Sequence, residues 1–195
     1  MTRKLLGPIC IPWDEEANIA RAYLETTKVW EPHVRWLGFM DHDCELLNRD
    51  WYARLKKAIE QHPQVGLWTC RSQLQHQGQR SQSLGILHDL NTRERVALAK
   101  GRAEQQGERV TILGITPPEL ISGMFFFVDT TLFLQIGHRL EPGMMGVDNN
   151  IHIACHKAGR PVGVIEAMVI WHRYGAIDPR SEERSKYPRA KLLPR

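Results

Sequence analysis

The apolar run Val34, Trp36, Leu37, Phe39 and Met40 ends abruptly on Asp41 and Asp43, two carboxylates two positions apart. A short apolar run closed by polar residues reads as a buried strand. Its carboxyl end sets both acids where an open α/β sheet takes its ligands. Two carboxylates at such an edge suit a divalent cation that completes its shell with water and phosphate oxygens. A plain turn explains the same residues, because Asp is common after strands. The rest of the chain has to decide between the two.

Along the chain, strand and helix patterns alternate. Ile9-Cys10-Ile11-Pro12 reads as a first strand, and Ile19, Ala22 and Tyr23 then share one face of a helix behind Asp14, Glu15 and Glu16. After the strand that ends at Asp41, Asn48-Arg49-Asp50 opens a helix carrying Trp51, Leu55, Ala58 and Ile59 at helical spacing. Residues 65–70 form the next strand and 121–128 another, followed by a helix over Thr130 to Ile136 that stops at Gly137. A helix begins near Asp148 and ends at Ala158-Gly159, and residues 162–170 form a last strand that runs into Trp171-His172. This alternation predicts a single α/β domain. Between Arg71 and Pro118 the apolar period lapses into a Gln-rich stretch, expected as a mobile insertion, with an exposed helix over Thr92 to Gln106.

The chain has 195 residues, enough for one substantial core. No apolar run is long enough to cross a bilayer, and the opening residues do not read as a secretion signal. Cys10, Cys44, Cys70 and Cys155 are widely spaced without a C-x-x-C pair, which points to reduced thiols and a cytoplasmic setting. From Arg173 to Arg195 seven Lys/Arg face three acids among three prolines, so residues 176–195 are expected as a basic tail. Such a tail can touch phosphates, or can simply keep the chain soluble.

Three segments in order resemble the GT-A-fold glycosyltransferases, in particular the family 2-like group and its short forms in bacteriophages. Ile11-Pro12 followed by Asn18-Ile19-Ala20-Arg21-Ala22 resembles the first strand and helix of that family, and Phe39-Met40-Asp41-His42-Asp43 its Asp-x-Asp motif. Ser122-Gly123-Met124-Phe125-Phe126 through Gly146-Val147-Asp148 resembles its acceptor-side segment, and Trp171-His172-Arg173-Tyr174 its closing strand. The resemblance spans residues 9–70 and 120–175 and implies a GT-A-like, Rossmann-like mixed sheet flanked by helices over residues 1–175. Two departures stand out. Only residues 27–35 separate the first helix from the Asp-x-Asp strand, so the nucleotide-binding portion is reduced. Val147 also stands where the family has Glu beside the catalytic Asp.

The resemblance implies a metal-dependent transferase that moves a sugar from a nucleotide-diphosphate donor, expected to be a UDP-sugar, with inversion. Asp41, Asp43 and His172 would hold Mn²⁺ or Mg²⁺, and Pro12, Trp13 and Asp41 would line the donor nucleotide. Asp148 would be the general base. Each residue has a plainer role open to it: Trp13 as core, Asp148 as a helix cap, His172 as a histidine satisfied by backbone. His152 and His156, four apart on one helix, are better read as packing than as a metal pair, and His42 as pointing away from the acids. The acceptor is open: a glycan, or modified DNA met by the basic tail. The alternative function is a non-catalytic nucleotide- or nucleic-acid-binding protein.

Overall fold

The computed structural model describes residues 2–72, 82–84, 92–115, 119–143 and 146–172. The tail from 173 and the glutamine-rich residues 73–81 lie outside these, so expectations for them stay as stated. Seven strands form one mixed sheet. They are β1 (Lys4–Cys10), β2 (Val34–Met40), β3 (Cys44–Leu46), β4 (Leu67–Ser72), β5 (Val110–Leu113), β6 (Phe125–Asp129) and β7 (Val162–His172). The order across the sheet is β1-β2-β6-β4-β7-β3, and β5 pairs with the other end of β7, on the edge that also takes β3. β1 runs parallel to β2 and β4 parallel to β7, while β6 lies antiparallel between β2 and β4.

Helices α1 (Ile19–Trp30), α4 (Thr130–Gly137) and α5 (Val147–Lys157) cover one face, where Tyr23, Phe133, Ile136 and Ile151 pack on Leu37, Phe39, Phe126 and Val128. Helix α2 (Trp51–Gln61) covers the other, with Leu55, Ala58 and Ile59 against Trp36, Trp68, Phe125 and Phe127. Alternate residues of β6 therefore enter opposite cores, which is why its sequence is continuously apolar rather than alternating. α4 begins at Asp129, whose carboxylate accepts the Leu132 N–H, a side-chain cap that satisfies a free helix donor.

Three features differ from the sequence expectation. β1 starts at Lys4 and runs through Gly7-Pro8, with a register shift between Leu6 and Ile9. Proline is tolerated there because β1 is an edge strand and its missing N–H breaks no ladder. In the stretch 71–118 the expected helix is present as α3 (Thr92–Glu104), but it is not wholly exposed, and β5 follows it. Ala99 and Ala103 of α3 are buried with Leu47, Val169 and Trp171, and the Arg95 guanidinium lies over the Trp171 ring. Finally, β7 bulges against β4: Cys70 pairs with Ile165, but Arg71 already pairs with Val169. The Asn48 side chain accepts the Val169 N–H at 2.8 Å, and the Leu47 N–H reaches the Val169 carbonyl. A bulge of this kind re-aims the strand beyond it, here towards β3, where His172 faces Cys44.

Gly38, in the middle of β2, is a point of close approach. A Cβ there would stand 2.5 Å from the Phe127 ring and 3.0 Å from Ile9 Cγ1. The Gly38→Ala variant is expected to lose about 1–3 kcal/mol by overpacking, read as a lower denaturant midpoint with an unchanged m-value.

Candidate metal and carboxylate site

The site forms at the carboxyl ends of β1 and β2. Backbone hydrogen bonds set its frame: the Asp41 N–H donates to the Met124 carbonyl, and the Cys44 N–H closes a turn onto the Asp41 carbonyl. That turn leads into β3, whose Cys44 lies directly across from His172 of β7. The His172 Nε2 and an Asp43 carboxylate oxygen are 3.0 Å apart. One ligand atom from each of Asp41, Asp43, Cys44 and His172 falls within 4.8 Å of every other. Two carboxylates from the turn between β2 and β3, with a thiol and an imidazole facing across the β3–β7 pair, fit a divalent cation by their donor chemistry.

Asp148 lies on the first turn of α5. It is not the helix cap: that position belongs to Gly146, at φ 82°. Its carboxylate accepts the Gly123 N–H at 2.7 Å and the Asn149 N–H at 2.9 Å. Gly123 precedes Met124, whose carbonyl holds Asp41, so one short segment ties both acids together. A Cβ on Gly123 would come 3.2 Å from Asp148 Cβ and 3.6 Å from the Tyr23 hydroxyl.

The electrostatics report the same convergence. Burial, then the charges of Asp43 and Asp148, push Asp41 up to about 7, against a smaller opposing effect of His42. Burial raises Asp148 as well, opposed by its backbone N–H donors. Tyr23 packs edge-on against Phe39 and Phe126. Burial and the charges of Asp41 and Asp148 hold its phenol protonated. The Cys44 thiol is half-buried and likewise pushed well up, first by burial and then by Asp41 and Asp43. Such concentration of like charge in one place is costly to folding and characteristic of functional sites.

Asp41, Asp43, His172 and Asp148 therefore come together. Trp13 is 81% exposed, so it is not core. With Pro12 it follows β1 at the same sheet edge, on a loop fixed by Asp14, which accepts the Glu16 and Asn18 N–H groups and pairs with Arg21. That pairing holds Asp14 down to about 2. In the same loop Ala17 adopts φ 56°, a left-handed conformation unusual for a residue with a side chain. His42 is exposed, whereas His152 is buried, and burial pushes it down to about 4. His156 is exposed on the same helix, and neither histidine joins a cluster of three or more potential ligands among the described residues.

Three contributors carried no sequence signal: Cys44, Tyr23 and Gln82. Gln82 is buried, accepts the Ser122 N–H at 2.6 Å and donates to Thr69 Oγ1, steadying the segment that holds Asp148. A separate cavity of about 820 Å³, lined by Arg3, Arg35, Asp129 and Arg160, opens at the far end of the sheet. There Arg3 donates to the Val34 carbonyl and Arg160 to the Gln64 and Val65 carbonyls, so these cations serve the fold. No protein-family model matches this chain, and no curated protein matches it either. Among the described residues no helix is long and apolar enough to cross a membrane.

Proposed function

We propose that the chain is a metal-dependent glycosyltransferase with a GT-A-like fold, moving a sugar from a nucleotide-diphosphate donor to an acceptor hydroxyl or amine. The observation that carries this reading is the meeting of Asp41, at the end of β2, with Asp148, at the start of α5, close enough for the charge of Asp148 to raise Asp41. Asp41, Asp43 and His172 would hold Mn²⁺ or Mg²⁺. When bound, such an ion supplies Lewis-acid stabilisation of the departing diphosphate.

The remaining work falls to the chain. Asp148 is fixed by two backbone donors, and burial raises its carboxyl above the ordinary range, which makes it a stronger base for an acceptor proton. A base on the side of the sugar opposite the leaving group gives inversion. Trp13 offers an exposed aromatic face on which a base can stack at the edge where β1 ends. The reading also accommodates the short link between α1 and β2, residues 31–33, which adds no further strand for base recognition. That economy is also what favours the second reading, a non-catalytic nucleotide-binding protein built on the same acids.

A thermal-shift titration of UDP, GDP and their sugars, with and without Mn²⁺, tests the proposal. Stabilisation by one nucleotide that requires Mn²⁺ and disappears in Asp43→Ala is the expected result. Nucleotide-independent melting under every condition would refute it. Metal-dependent binding with no donor turnover would favour the binding protein.

A further inference from the structure

The Asp-x-Asp turn does not end at its second acid. Cys44 follows Asp43 directly, opens β3, and stands opposite His172 in the antiparallel β3–β7 ladder. Its sulfur lies within 4.8 Å of the nearest ligand atoms of Asp41, Asp43 and His172. A tetrahedral shell with bonds of about 2.0–2.3 Å spaces its donors roughly 3.3–3.8 Å apart, so small side-chain rotations close the set. The frame that holds it is rigid: the Cys44 N–H bonds the Asp41 carbonyl, the β3–β7 ladder fixes the cross-strand pair, and Asn48 anchors β7 just upstream.

We propose that Cys44 is a fourth ligand of the cation held by Asp41, Asp43 and His172, making a mixed oxygen, nitrogen and sulfur site that selects a thiophilic divalent ion. The inference rests on the metal reading above and narrows it. A site of carboxylates and imidazole alone accepts Mn²⁺ or Mg²⁺; adding a thiolate shifts preference to Zn²⁺, Co²⁺ or Cd²⁺. On binding, the thiol proton leaves to solvent and sulfur donates to the ion. Four protein ligands fill a tetrahedral shell, whereas a six-coordinate ion on the same groups keeps two positions for phosphate oxygens. The identity of the bound ion would therefore decide whether the site is closed or open to a diphosphate.

Titration of the full chain with Co²⁺ alone should give a sulfur-to-cobalt charge-transfer band that Cys44→Ser abolishes and Cys10→Ser leaves intact. In the same variant Zn²⁺ affinity should fall on the order of tenfold or more, with Mn²⁺ affinity nearly unchanged. A second measurement needs no mutation: Zn²⁺ should protect Cys44, but not Cys10, from alkylation as followed by mass spectrometry. If Mn²⁺ binds and Asp43→Ala removes it, yet the band is missing and Zn²⁺ gives Cys44 no protection, Cys44 is not a ligand and the three-residue cation site survives. If neither Mn²⁺ nor Zn²⁺ binds the wild-type chain, both readings fall.

Discussion

Asp148→Asn is expected to slow sugar transfer by about 10²–10⁴-fold while leaving metal-dependent nucleotide affinity intact. The asparagine keeps the volume of the side chain and one oxygen for the Gly123 or Asn149 N–H, but it cannot accept a proton. One of those two donors must then face an amide NH₂ instead of a carboxylate oxygen. A local loss of about 1–2 kcal/mol should accompany the change, so a melting curve belongs beside the rate measurement. In the wild type the rate should rise with pH as Asp148 loses its proton, with a midpoint above that of an ordinary carboxylate because burial raises it. A variant that turns over donor at the wild-type rate would remove Asp148 from the chemistry.

Asp41→Asn should do the opposite to stability: the variant is expected to be more stable than the wild type at pH 8 in the absence of metal. The Asp41 carboxyl is raised to about 7 in the fold against 3.8 in an ordinary setting. Below pH 4 both folded and unfolded chains carry the proton and the group contributes fully. Between about 4 and 7 the unfolded chain releases it while the folded one retains it, so stability falls as pH rises and levels off above 7. The shift corresponds to roughly 2–4 kcal/mol. Asparagine removes this slope, and the gain over wild type should appear as a Tm higher by several degrees at pH 8 and little changed at pH 4. Added divalent cation should raise the wild-type Tm at pH 8 and leave Asp41→Asn nearly unmoved. An unaltered pH slope in the variant would show that Asp41 does not carry this cost. A residue whose removal steadies the fold but disables the site is the signature of charge stored for function.

Much of this arrangement could be read from residue order. β6 is a continuous apolar run and β2 one broken only by an exposed Arg35, and α4 carries its own start and stop in Asp129 and Gly137. Asp41, Asp43, Asp148 and His172 could all be named because each sits at a boundary where an apolar element gives way. β3 and β5 could not. They are three and four residues long, too short to show a period, and exist because β7 offers an open edge. Cys44 joined the site through the β3–β7 register, and that register follows from a bulge in β7 that no local pattern announces. Tyr23 looked like one more residue on the apolar face of α1; its hydroxyl matters only because the helix lays it beside Gly123. Gln82 was hidden among similar glutamines until tertiary packing singled it out.

The double duty of β7 changes what the middle of the chain is for. One edge of this strand pairs with β4, while the other is shared between β5 and β3. Trp171, next to His172, is wedged against α3 by Ala99 and Ala103. The imidazole thus hangs from a support built by residues 92–113, far along the chain from either aspartate. What resembles decoration between two conventional halves is a brace for the strand that carries His172, and trimming it to reach a minimal domain would bare Trp171 and loosen that strand's end.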